Sequence, residues 1–252
     1  MSVTNEEMIR ILENKGYGII PPEQFRIDME DSFKAIWADV GAYTMTSVER
    51  GYALYKAVHY IIGNAVGGDF VECGVWKGGS CMLIARTLLE LGVTDRSIFL
   101  YDTFEGMPEP GGNDYIAWNG RSVHEKWEED RLGEKNNFTS WAVDLDSVKA
   151  NIKSTAYPED KLIFVRGPVE ETLRNVRPDK IGLLRLDTDW YESTKAELEL
   201  LYPRLTCGGV LILDDYGHFT GAKMAVDEYF AGHGSPPLLN RIDYTGRVAV
   251  KN

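Results

Sequence analysis

"LRLDTDWYEST" (residues 184–194) decides how the chain reads: a run of strand-forming residues stops at Asp187, and a second carboxylate, Asp189, follows two positions later. "GGVLILDDYG" (208–217) repeats the pattern, an apolar run that stops on Asp214 and Asp215. Short apolar runs bounded by turn residues read as buried strands. Outward from these two, "DFVEC" (69–73), "SIFLYD" (97–102) and "KLIFVRG" (161–167) read the same way. Helical periodicity fills the intervals at 77–92, 142–155, 168–175, 191–203 and 219–231. Strands alternating with helices at this spacing mean βαβ units. The expected fold is therefore α/β, a doubly wound, mostly parallel sheet. The tail "PLLNRIDYTGRVAVKN" (237–252) adds two short strands around "YTG".

Ahead of the first strand, residues 5–15, 29–40 and 47–65 have helical spacing. They suggest a helical N-terminal cap over 1–66 of one domain spanning 1–252. Between the second strand and helix 142–155, residues 103–140 form an interval too long for an ordinary connection. It carries Tyr115, Trp118 and Trp127, aromatics that disordered segments seldom contain, and it reads as a lid insertion.

The 252 residues are 44% hydrophobic, enough for one sizeable core, and carry a net charge of −12. That charge argues against nucleic acid, whose non-specific binding needs a basic face, and against anionic membranes. There is no signal-peptide pattern and no long uncharged apolar run, and the three cysteines form no CxxC pair. Together these point to a cytoplasmic protein with reduced, buried thiols.

In doubly wound sheets ligands lie beyond the carboxyl ends of the strands. The first strand ends in "VECGVWKGGS" (71–80), which is not GxGxxG: Glu72 precedes the first glycine, Gly74, and Trp76 lies between the glycines. An acid there suits a cationic or hydroxylated ligand better than a diphosphate. Asp102, at the end of the next strand, can accept hydrogen bonds from ribose hydroxyls. S-adenosylmethionine, a nucleoside with a sulfonium and an amino-acid tail, fits both acids. The competing reading makes Glu72 and Asp102 turn or cap acids.

Asp187 and Asp214 are 27 residues apart, one helix and one strand, which places both at the same end of neighbouring parallel strands. With Asp215 they offer three oxygen ligands to a hard divalent cation such as Mg2+. The competing reading of "DDYG" is a turn whose aspartates bind their own backbone. A metal would activate a weakly acidic hydroxyl, and Asp189 would take its proton as general base. Two open metal positions would favour an acceptor with vicinal hydroxyls.

The sequence resembles the macrocin O-methyltransferase (TylF-like) family, metal- and S-adenosylmethionine-dependent enzymes that methylate sugar hydroxyls on natural products. The resemblance runs from "YTMTSVERGYAL" (43–54) to the end. It rests also on "GDFVECGVWKGGS" (68–80), "LYDTFEGMP" (100–108), "LRLDTDWYEST", "LYPRL" (201–205), "GGVLILDDYG" and "AVDEYF" (225–230). It implies a class I, Rossmann-like methyltransferase fold, with Glu72, Gly74, Ser80 and Asp102 holding the cofactor and Gly167 beside the adenine. It also implies Mg2+ on Asp187, Asp214 and Asp215, Asp189 as base, and Tyr43, Met45 and Thr46 closing over the site.

Some relatives use a histidine shortly after the first metal aspartate. Trp190 and Tyr191 stand there in this chain, and His218 reads as a supporting or surface residue. The acceptor is a small-molecule sugar or glycoside, finished or nucleotide-activated. The rival readings are a nicotinamide-dependent oxidoreductase and a non-catalytic ligand-binding relative. The N-terminal helices could serve a homo-oligomer.

Overall fold

A computed structural model describes residues 4–19, 27–131, 141–234 and 236–252. The chain divides into two compact units, residues 1–35 and 36–252. Residues 36–66, expected within an N-terminal cap, thus group with the sheet. In the first unit α1 (Asn5–Asn14) opens on a reciprocal cap: Thr4 Oγ1 accepts from Glu7 N at 3.3 Å, and Glu7 Oε2 accepts from Thr4 N at 2.9 Å. Helix α2 (Asp31–Val40) follows.

The second unit is built on a seven-stranded sheet. In chain order its strands are β1 (Asp69–Cys73), β2 (Ile98–Asp102), β3 (Leu162–Arg166), β4 (Ile181–Leu186), β5 (Leu205–Leu213), β6 (Asn240–Arg241) and β7 (Arg247–Val250). Their spatial order is β3-β2-β1-β4-β5-β7-β6, parallel from β3 to β5, with β7 antiparallel to both β5 and β6. The strand order reverses between β1 and β4, the position where doubly wound sheets open a crevice for ligands.

Helices α3 (Val48–Gly63), α4 (Gly79–Glu90) and α6 (Leu145–Lys153) pack on one another, as do α7 (Val169–Thr172), α8 (Tyr191–Leu200) and α9 (Thr220–Gly232). The second group buries Leu198, Leu201, Val226 and Phe230 against Val71, Leu184, Leu186 and Leu211 of the sheet. At about 25 cal/mol per Å2 of apolar surface, such burial is the main favourable contribution to folding.

Strand alternation then fixes the opposite face. Residues 71, 184 and 186 face this core, so Glu72 and Arg185 point the other way. The register makes Glu72 and Arg185 direct neighbours and sets Arg185 beside Ile212, two residues before Asp214.

The insertion after β2 is structured over its described part. Helix α5 (Val123–Arg131) lies within it, and single bridges join Tyr115 to Ser122 and Ile116 to Phe219. Ile116 and Val123 form a small core with Trp190, Phe219 and Ala222, against which Trp127 packs. Packing therefore accounts for Trp127, whereas Trp118 is 73% exposed. Residues 132–140, which the expected lid includes, lie outside the described residues.

Candidate active site

The acids at the strand ends open onto one cavity of about 250 Å3. Glu72 and Gly74 from β1, Asp102 from β2, and Ser80 at the start of α4 line it. So do Asp187, Asp189, Asp214 and Asp215, together with Met45 and Thr46 ahead of α3. Gly167 lines a smaller adjoining recess of about 60 Å3, which shares Gly74, Asp102 and Asp187 with the first. Tyr43 lines neither; its backbone lies over the start of α4 at Gly79.

Backbone geometry explains the convergence. Asp187 N donates to Cys73 O and Asp214 N to Leu186 O, both at 2.9 Å, so the ladder carries each acid past the end of its strand. A Cβ on Gly74 would lie 1.8 Å from Asp187 O, and the residue has φ 84°; only glycine allows this approach. Trp76, Phe104 and Asp189 also hold positive φ, at 48°, 54° and 68°. Such conformations cost on the order of 1–3 kcal/mol each and persist where surrounding contacts hold them.

At the centre lies Arg185, 2% exposed. It donates to Glu72 Oε1, to Asp187 Oδ2 at 2.7 Å and to Asp214 Oδ1 at 2.5 Å. Burial works against its charge, but Asp187, Asp214 and Glu72 outweigh that effect and raise its pKa well above the usual value. Arg50 of α3 holds the other side of Asp214 and also reaches Asp243 Oδ2, at 3.0 Å through Nε. Neither arginine figured in the sequence reading. The signal was present in "LLRLD": an arginine within an apolar strand needs buried anions beside it.

Glu72 is thus chiefly the anionic partner of Arg185, and it also accepts from Cys81 Sγ at 2.7 Å. Burial raises its pKa despite Arg185. Asp102 organises its loop: Oδ2 accepts from Val75 N and Trp76 N at 2.7 and 3.1 Å, and Oδ1 from Phe104 N at 2.7 Å. Both acids therefore carry the structural duty posed as the alternative to ligand binding, while still facing the cavity.

Asp187, Asp214 and Asp215 each place a carboxylate oxygen within 4.8 Å of the others. Burial, and then the neighbouring acids, raise the pKa values of Asp187 and Asp215 well above the ordinary range, with Arg185 and Arg50 respectively opposing. Crowded oxygen donors of this kind fit a hard divalent cation, which would relieve their repulsion. Asp189 shares a hydrogen bond with Asp215; burial pushes it up to about 8, the bond to Asp215 opposing and Asp187, Asp214 and Asp114 adding to the rise.

His218, read from the sequence as peripheral, lines the cavity, with Nδ1 3.0 Å from the Tyr244 hydroxyl. Burial lowers its pKa, and Lys126 and Arg50 lower it further.

The macrocin O-methyltransferase (TylF) family model matches residues 5–251. The 8-demethyl-8-(2,3-dimethoxy-alpha-L-rhamnosyl)-tetracenomycin-C 4'-O-methyltransferase of Streptomyces olivaceus is 35% identical over 95% of this chain and 88% of its own length. The demethyldecarbamoylnovobiocin O-methyltransferase of Streptomyces niveus is 34% identical over 81% of this chain and 74% of its own. The solved structure of the O-methyltransferase NovP superposes with a TM-score of 0.72 at 33% identity, covering 83% of this chain and 82% of that one. Sheet order, cavity and sequence agree, and the chain belongs to the macrocin O-methyltransferase family.

Proposed function

We propose that the protein transfers a methyl group from S-adenosylmethionine to a hydroxyl of a sugar on a natural-product glycoside, with Mg2+ assistance and Asp189 as general base. The observation that carries this reading is the clustering of Asp187, Asp214 and Asp215 within 4.8 Å, with Asp189 hydrogen-bonded to Asp215 in the same cavity. The relatives named above support the glycoside acceptor.

S-adenosylmethionine would lie over Gly74 and Ser80 with its nucleoside towards Asp102 and Gly167, and Mg2+ would be held by Asp187, Asp214 and Asp215. When bound, the two supply the methyl group and the Lewis acidity that makes a sugar hydroxyl a competent nucleophile. Asp189 accepts the hydroxyl proton at its carboxylate. Its position in a low-dielectric recess makes it a stronger base than an exposed aspartate. Met45 and Thr46, which line the cavity ahead of α3, would help keep water from the reacting atoms.

Among the described residues lining the cavity Arg50 is the one arginine or lysine, and it is engaged by Asp214 and Asp243. A nucleotide-activated sugar would bring a diphosphate into a cavity walled by carboxylates. A neutral glycoside with vicinal hydroxyls suits that field better.

The test is calorimetric titration of S-adenosylhomocysteine with and without Mg2+, with NAD as the comparison, alongside Asp189→Asn. One-to-one binding of S-adenosylhomocysteine with NAD silent supports the reading. A loss of turnover of roughly 10^2–10^4-fold in Asp189→Asn, with that binding intact, supports the base. An enzyme that binds NAD instead, or an Asp189→Asn variant with full turnover, overturns the corresponding part.

A further inference from the structure

Asp114 lies in the insertion after β2, 75 residues before Asp189, and it is 1% exposed. Its Oδ2 accepts from Gly111 N at 2.7 Å, closing a turn within the insertion. Its Oδ1 accepts from Tyr191 N at 2.9 Å, the first residue of α8. The residue preceding that helix, Trp190, has no side-chain cap of its own. The insertion supplies the missing acceptor.

What this attachment holds is the loop of the proposed base. Asp189 sits at φ 68° between Thr188 and Trp190, and Trp190 N donates back to Thr188 O at 2.8 Å. The Trp190 indole also donates to Pro108 O of the insertion at 3.1 Å. Asp189 is therefore tied to the insertion through the next two residues in the chain.

The insertion also grips the loop of the partner acid. Tyr115 N donates to Thr220 Oγ1 at 3.0 Å, Thr220 N donates to Tyr115 O at 2.9 Å, and Ala117 N donates to His218 O at 2.8 Å. These hold residues 218–220, and His218 N and Phe219 N in turn donate to Asp215 O at 2.9 and 3.1 Å. Gly221 completes the arrangement: a Cβ there would lie 1.8 Å from Asp114 Oδ1, so the carboxylate occupies space that any other residue would fill.

We infer that Asp114 is a positioning residue for methyl transfer: by joining the insertion to the start of α8 beside Gly221, it fixes the Asp189 loop against the Asp215 loop. The inference rests on the reading of Asp189 as base. It makes the insertion part of the catalytic alignment as well as a cover. Misplacing a catalytic group by about 1 Å can reduce rate on the order of 10^2-fold without altering ligand binding.

The test compares Asp114→Ala, Asp114→Asn, Gly221→Ala and the double variant Asp114→Ala/Gly221→Ala in the full chain. S-adenosylhomocysteine affinity, thermal melting and hydrogen exchange over 187–191 are measured, with turnover on methyl α-L-rhamnopyranoside, a neutral glycoside with vicinal hydroxyls. Asp114→Ala should exchange faster at Asp189, Trp190 and Tyr191 with the body of α8 still protected. Its kcat should fall roughly 10–100-fold while KM and S-adenosylhomocysteine affinity stay within about threefold. Asp114→Asn keeps one acceptor and should fall between Asp114→Ala and wild type.

Gly221→Ala displaces an intact carboxylate and should reproduce the Asp114→Ala phenotype. The double variant should lose less than the sum of the two single variants, because no carboxylate remains to displace and only the 3.0 Å approach of the new Cβ to Tyr191 N persists. Unchanged exchange at 189–191, losses confined to KM or to melting temperature, or additive effects in the double variant would overturn the inference. The exchange and additivity of melting decide it even if the rhamnoside is not turned over, and Gly221→Ala and Asp114→Asn decide it if Asp114→Ala does not fold. Asp189→Asn run alongside separates the two failures. Full turnover there removes the base reading, whereas a crippled Asp189→Asn beside an unaffected Asp114→Ala removes only the positioning role.

Discussion

The two sides of the acid cluster are built on opposite principles. On the β1–β4 side, Glu72, Asp187 and Asp214 surround Arg185, and Arg50 adds a second cation at Asp214. On the α8 side, Asp189 and Asp215 face each other; Arg50 opposes the rise at Asp215, Asp189 forms no arginine ion pair among the described residues, and its backbone is held in a left-handed conformation. On the first side burial raises the pKa values of Glu72 and Asp187, and their direct ion pairs with Arg185 oppose that rise. On the second side burial and the neighbouring acids raise the proton affinity of Asp189, the proposed base, with the hydrogen bond from Asp215 opposing. Both sides are buried, and the difference lies in where the cations stand.

Removing Arg185 is the hardest blow to this comparison. Arg185→Leu leaves Glu72 and the part-buried Asp187 without their cation and Asp214 with Arg50 alone, and breaking a buried ion pair of this kind costs about 3–5 kcal/mol. Urea unfolding should show a matching drop or an insoluble protein. A variant of wild-type stability would mean that the arginine is not the element holding that side together.

Asp243 tests the outer cation by pH. Burial would raise its pKa, but Gly246 N, the Ser47 hydroxyl, Arg50 and Thr245 N outweigh that and hold it below the ordinary value. A depressed carboxylate contributes stability that is full above its unfolded pKa of about 4 and is lost as pH falls through the folded value. Asp243→Asn should therefore lower stability by about 1–3 kcal/mol at pH 7, with the gap to wild type closing below about pH 4. A gap independent of pH would show that the hydrogen bonds matter and the charge does not.

The smallest expected effect has the opposite sign. Glu197 of α8 is fully buried beneath the same loop, where Oε1 accepts from Thr188 Oγ1 at 2.9 Å. Burial raises its pKa well above the usual value, with Glu170 and Asp215 adding to the rise and the Thr188 and Cys73 hydrogen bonds opposing. A raised acid favours the folded state at low pH, and that advantage fades as pH climbs from the unfolded value towards the folded one. Glu197→Gln should gain about 1 kcal/mol at pH 8, roughly 2–4 °C in melting temperature, and little at pH 4. A loss at pH 8 would show that Glu197 is needed in its charged form.

The fold was legible because the strands on either side of the switch point carry their apolar runs in local sequence. "DFVECG", "IGLLRLD" and "GGVLILDD" each end on the acid or glycine that the sheet places at its carboxyl edge. Their parallel pairing follows from the length of the connections between them. The candidate site was legible to the same extent: the acids at strand ends share one edge because the sheet is parallel, and the cavity gathers them.

The duties of those acids were not legible in the same way. Glu72 and Asp102 turn out to be engaged by Arg185 and by loop amides, contacts that join residues 113 and 26–27 positions apart. The insertion after β2 read as one irregular segment, because its helix α5 and the buried Asp114 are held by partners at 190–191 and 218–221 rather than by local periodicity.

Sequence by itself determined the strands, their parallel order of connection and the set of carboxylates at their ends, since hydrophobic periodicity and chain length are local properties. Tertiary structure alone decided which carboxylates pair directly with Arg185 and Arg50 and which do not. Charge pairing across a sheet depends on register and facing side, and those are set only when the strands dock.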